Sequence, residues 1–108
     1  MQQDLQITFR DIEPSEAVET RIRGRVEKLE EFHDRITSCH VTVSAPHRHH
    51  HQGKLYQVHI EILVPGGSVV TSRDHGEKHA HEDVYIAIRD SFDVAQRQLQ
   101  DFVRKQKK

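Results

Sequence analysis

At 108 residues, with 31% charged and 34% hydrophobic side chains, the chain has material for one modest core, which excludes a two-domain arrangement. A formal net charge of −1 excludes a polybasic nucleic-acid binder by composition alone, so any anion-binding surface must come from how the charge is distributed. Ten histidines soften that balance, because imidazoles with pKa values near about 6.5 gain charge in mildly acid conditions.

The N-terminal residues Met1-Gln2-Gln3-Asp4 contain neither a basic region nor an apolar run, and no segment is long enough to span a bilayer. The lone cysteine, Cys39, precludes an intramolecular disulfide, so a reducing, cytoplasmic location is expected. Leu5, Ile7 and Phe9 alternate with Gln6, Thr8 and Arg10, the pattern of a half-buried strand. Asp11 to Ser15 breaks it, and Ser15 ahead of Glu16 and Glu19 marks the start of a helix running to about Phe32. Val18, Ile22, Val26 and Leu29 form its apolar stripe. Arg21, Arg25 and Lys28 follow one flank of that stripe, while Glu16, Glu19, Glu27 and Glu30 lie on the other flank or outside. Such sorting fits a solvated amphipathic helix or an anion-binding edge, and both readings stay open.

Cys39, Val41, Val43 and Ala45 alternate with His40, Thr42 and Ser44 in a second strand that Pro46 ends. Tyr56, Val58, Ile60, Ile62 and Val64 then define the longest strand. Pro65-Gly66-Gly67 turns the chain, and Val69-Val70-Thr71 begins a fourth strand returning as a hairpin. The last helix is expected from Ala80-His81-Glu82-Asp83 to Lys108, with Tyr85, Ile88, Phe92, Ala95, Leu99 and Phe102 on one stripe. Its first half carries Asp83, Asp90 and Asp93, and its second half Arg97, Arg104, Lys105, Lys107 and Lys108. That order complements the helix dipole, or it makes the basic end an anion-binding surface. The order β-α-β-β-β-α predicts an α+β fold, a four-stranded mixed sheet with two helices packed on one face. On this reading the candidate RNA-binding track is Arg21, Arg25, Lys28, Arg97, Arg104 and Lys105.

The cluster His47-Arg48-His49-His50-His51 lies between the second and third strands. Imidazoles ligate zinc, copper or nickel, and His79 and His81 are further candidates. The cluster nevertheless matches no ligand spacing, and Cys39 has no thiolate partner, so neither a metal site nor any other cofactor is expected. Catalysis is not expected either. No glycine-rich loop opens a helix, no serine sits in a nucleophile elbow, and the acids are spread over exposed faces.

The run Ile7-Thr8-Phe9-Arg10-Asp11-Ile12, the first helix, Phe32-His33-Asp34-Arg35-Ile36, the turn Val64-Pro65-Gly66-Gly67, and Glu82-Asp83-Val84-Tyr85-Ile86-Ala87-Ile88 followed by Arg97-Gln98-Leu99 together resemble one family. It is the ribosome hibernation promoting factor family, also called ribosome-associated inhibitor or sigma-54 modulation proteins, and the resemblance covers nearly the whole chain. It implies the same β-α-β-β-β-α fold, akin to double-stranded-RNA-binding domains. It also implies a bacterial protein that binds the small (30S) ribosomal subunit and its 16S rRNA in the channel of messenger and transfer RNA. Translation would then stall in stationary phase or stress. The chain resembles the short form of the family, a single ribosome-binding domain over residues 1–108, so pairing of ribosomes would fall to a separate dimerising factor. Val94, Gln96 and Gln100 stand on the last helix, where the family usually carries more lysine and arginine, and the histidine cluster expands the second hairpin. The electrostatic grip is expected to be weaker, or shared with the histidines. A histidine-rich metal-binding protein on this fold is the alternative of a different class, and sedimentation with ribosomes in the presence of chelator separates the two.

Overall fold

The alternations and helical stripes become β1 (Asp4–Arg10), α1 (Glu16–Phe32), β2 (Ser38–Ser44), β3 (Gln57–Val64), β4 (Gly67–Thr71) and α2 (Val84–Gln106). A computed structural model describes residues 4–45, 55–71 and 83–106 of the chain. The four strands form one sheet in sequence order, β1-β2-β3-β4. β1 runs parallel to β2, with Ile7 opposite Val41, whereas β2–β3 and β3–β4 are antiparallel. The α+β fold with a mixed sheet is therefore as the sequence predicts.

Helix α1 begins just after Ser15, whose backbone is extended and whose hydroxyl accepts the Val18 N–H at 3.3 Å, satisfying one of the otherwise orphaned amides of the first turn. It ends at His33, whose extended backbone still donates its N–H to the Leu29 carbonyl at 2.9 Å. Asp83 performs the opening task for α2. Its carboxylate accepts the Tyr85 N–H at 2.9 Å, and its carbonyl accepts from Ala87 at 3.0 Å. The expected start at Ala80 and the end at Lys108 lie outside the described residues.

One face of the sheet supplies Cys39, Val41, Val43, Val58, Ile60, Ile62, Val64 and Val69 to the core, with Leu5, Ile7 and Phe9 of the edge strand only partly buried against it. From the helices come Val18, Ile22, Val26 and Leu29, and Ala87, Ile88, Phe92, Ala95 and Leu99. Each of the larger of these side chains contributes about 1.5–3 kcal/mol when fully covered. The opposite sheet face carries polar side chains such as Thr8, whose hydroxyl lies 2.9 Å from His40 Nε2 across the β1–β2 pair, together with the exposed Leu63 and Val70.

The hairpin is tighter than its apolar residues suggest. β4 starts at Gly67, paired with Val64, rather than at Val69. Pro65 and Gly66 alone make the turn, with Gly66 at φ 95°, as the third residue of a type II turn requires. Gly67 meets a different constraint: a Cβ there would lie 2.8 Å from Phe102 Cζ. Phe102 thus packs directly on the start of β4.

Candidate nucleic-acid interface

Both helices lie on one sheet face and point the same way, because their contacts advance together. Arg21 of α1 meets Tyr85 of α2, and Arg25 meets Asp93. Further along, Phe32 and His33 share a cleft with Gln96, Leu99, Gln100, Val103 and Arg104. Between the helices runs a groove whose α1 wall is Arg21, Arg25, Lys28 and Phe32, at helical steps of four, three and four.

The groove holds its arginines in different ways. The Arg21 guanidinium carbon sits 4.7 Å from the centroid of the Tyr85 ring, where the ring quadrupole attracts the cation and fixes its height above the groove. Tyr85 is therefore half-buried at the rim instead of deep in the core, as its place in the apolar stripe suggested. Arg25 donates from Nη2 to Asp93 Oδ1 at 2.6 Å, and its buried Nε has no acceptor among the described residues. Asp93 thus bridges the helices, and Asp90 pairs with Arg89 at 3.0 Å. Of the three aspartates, only Asp83 caps the helix terminus and complements its dipole.

Of the sequence-predicted track, the structure brings Arg21, Arg25 and Lys28 together along the α1 wall. Arg97 is exposed on α2, and Arg104, seven residues on, stands at the rim of the C-terminal cleft, 3.8 Å from Asp101 with its side chain 78% exposed. Lys105 is exposed but turned away from α1: it follows Gln98 by seven residues, and Gln98 accepts a 2.6 Å hydrogen bond from Thr71 of β4. Sequence reasoning missed Arg89, which lines a cleft of about 220 Å³ with Arg21, Arg25 and Tyr85. Its signal was present, since Arg89 stands four residues from both Tyr85 and Asp93. A second, larger cleft of about 390 Å³ occupies the C-terminal end of the groove, where Phe32 is 60% exposed.

Cys39 offers no nucleophile. Burial, and then the negative charge of Glu30, push its thiol up to about 12, so the thiolate is essentially absent near neutrality. Among the described residues no three His, Cys, Asp or Glu side chains are grouped to hold a metal ion, and no helix is long and apolar enough to cross a membrane. The cluster His47 to His51, His79, His81, Lys107 and Lys108 lie outside the described residues.

A family model described as sigma 54 modulation protein / S30EA ribosomal protein matches residues 5–107. A ribosome hibernation promotion factor from Deinococcus radiodurans is 28% identical over 97 residues, which cover 90% of this chain and 47% of that protein. The chain therefore spans about half the length of that relative. Among solved structures, a ribosomal subunit interface protein from Coxiella burnetii superposes with a TM-score of 0.72 at 15% identity, covering 92% of this chain and 96% of that one. The N-terminal domain of Protein Y from Thermus thermophilus gives 0.69 at 19% identity, over 94% and 97%. At these identities the likeness to the two structures is one of fold.

Proposed function

Because the chain belongs to the sigma 54 modulation protein / S30EA ribosomal protein family, we propose that it is a ribosome-binding factor that keeps ribosomes idle. On this reading the groove between α1 and α2 seats on 16S rRNA of the small (30S) subunit, in the channel that messenger and transfer RNA occupy, and the protein works in stationary phase or stress. The observation that carries the reading is the concentration of cations on the facing sides of two parallel helices in a chain of net charge −1. Arg21, Arg25, Lys28 and Arg89 line the groove, and the exposed Arg97 and Arg104 continue the cationic surface along α2, Arg104 at the rim of the C-terminal cleft. A composition that is nearly neutral as a whole leaves such a surface only if the charge is sorted, and phosphate backbones are what sorted lysine and arginine recognise without reading sequence.

Sedimentation of the purified protein with small subunits, in chelator and over a series of salt concentrations, tests the reading. About five phosphate contacts give a log–log salt slope of roughly −4. The double substitution Arg97→Glu/Arg104→Glu should flatten that slope and abolish inhibition of translation with the fold intact, because both side chains are exposed. Full inhibition by the folded double variant would sink the proposed surface.

A further inference from the structure

We propose that the cleft at the C-terminal end of the groove receives the base of one unpaired nucleotide of the RNA that the groove holds. The proposal rests on the ribosomal RNA reading above and adds a site to it. Phe32 closes the cationic wall of α1, four residues after Lys28, and it is the last residue of its helix. The protein buries nearly every other large apolar side chain on the helix-bearing face of the sheet, yet Phe32 is left 60% exposed. It lines a cleft of about 390 Å³, a volume in the range of small-molecule pockets, about 300–1,000 Å³.

The chemistry of the walls selects among occupants. Phe32 presents an aromatic face, Leu99 and Val103 make an apolar floor, and the amides of Gln96 and Gln100 each bring a donor pair and an acceptor to one side. Arg104 stands at the rim. A purely apolar partner would leave the two amides and the guanidinium desolvated without compensation. A duplex would offer only its backbone and shallow groove, whereas an unstacked base has a π-face for Phe32, polar edges for the amides and a phosphate for Arg104. The cations Arg21, Arg25 and Lys28 lead along the groove toward this cleft, so a strand tracked by its phosphates arrives there with the charge complementarity the site needs. Gln96 and Gln100, which read as a weakening of the last helix when only its charge is considered, become the polar edge of a base pocket.

The test compares the full chain with its Phe32→Ala and Phe32→Trp variants, using isolated small subunits and a short unstructured RNA carrying 2-aminopurine. Phe32→Ala should weaken binding to both by about tenfold, as loss of one stacked base does, while the salt slope stays unchanged because no phosphate contact is lost. Phe32→Trp should restore binding, and quenching of 2-aminopurine by the native protein should vanish in Phe32→Ala. Unaltered affinity in the folded Phe32→Ala variant overturns the pocket, and so does a loss on subunits without a loss on the RNA, which would assign the cleft to a ribosomal protein. Failure of the underlying reading looks different: Arg21→Glu and Lys28→Glu would then leave subunit binding unchanged, whereas failure of the pocket alone leaves those charge reversals damaging.

Discussion

Replacing Asp93 by asparagine should make the protein grip RNA more tightly while making it slightly less stable. Asp93 Oδ1 lies 2.6 Å from Arg25 Nη2, with the two side chains 53% and 20% exposed. A pair half in water contributes about 0.5–1 kcal/mol, not the larger cost of breaking a buried pair. Asparagine keeps the shape and an acceptor oxygen, so the stability lost should stay below about 1 kcal/mol. In the groove the change removes the carboxylate that occupies Arg25 and releases a cation for phosphate. One added phosphate contact steepens the log–log salt slope by about 0.7–0.9, which near 0.1 M salt corresponds to roughly five- to eightfold tighter binding. Sedimentation or fluorescence titration with small subunits between about 50 and 200 mM salt measures the slope, and urea unfolding measures the stability. A folded Asp93→Asn variant with unchanged affinity and slope would show that phosphates do not face the groove. Weaker binding would show that Asp93 positions Arg25 for RNA instead of competing with it.

Gly24 lies exposed in the middle of α1, with nothing within 4 Å of an added Cβ, so Gly24→Ala should raise stability by about 0.5–1 kcal/mol; a drop in the thermal midpoint would contradict this. At Gly67 the sign reverses: the methyl of Gly67→Ala meets the Phe102 ring at 2.8 Å, and about 1 kcal/mol should be lost. Combining it with Phe102→Ala should cost less than the sum of the single changes, and strict additivity in denaturant melts would rule out the clash. The raised Cys39 pKa, about 12 against an ordinary 9.0, makes the unfolded chain lose its thiol proton first as pH rises. Stability linked to Cys39 is therefore complete below pH 9 and is lost between 9 and 12, at up to about 1.4 kcal/mol per pH unit. Cys39→Ala should flatten the difference in unfolding free energy over that window, and parallel curves for the two proteins would refute the buried-thiol argument.

The parts of the fold written in short-range periodicity were legible from sequence. Val41, Val43, Val58, Ile60 and Ile62 alternate so regularly that their burial follows from the pleat, and the stripe of α1 names its buried residues, whereas that of α2 gives Ile88, Phe92, Ala95 and Leu99 but leaves out Ala87 and takes in the half-buried Tyr85 and Phe102. The start of β4 was misplaced by two residues because Gly67 and Ser68 have no strand preference. Their pairing with Val64 and Leu63 supplies it. What periodicity cannot convey is which side of one helix meets another. Arg25 and Asp93 are 68 positions apart, and nothing local links them, so Asp93 read as a dipole-complementing acid and Arg25 as an unpaired cation. The same blindness hid Arg89 and grouped Lys105 with Arg104, although adjacent helical residues are turned about 100° apart. Ser91 is the remaining surprise, a hydroxyl buried in the α2 stripe with no hydrogen-bond partner among the described residues.

Three strands separate α1 from α2 in the chain, and the two helices come together side by side on one sheet face, linked by Arg25 to Asp93 and by Arg21 over Tyr85. Their spacing follows in part the lateral spacing of the strands beneath them, about 4.8 Å apiece. If the groove seats RNA as proposed, Arg21 comes to it already held over its aromatic ring, so part of the ordering cost of docking is met before contact. On that reading association would be set by diffusion and electrostatic steering, and differences among variants should surface chiefly in how long the complex lasts.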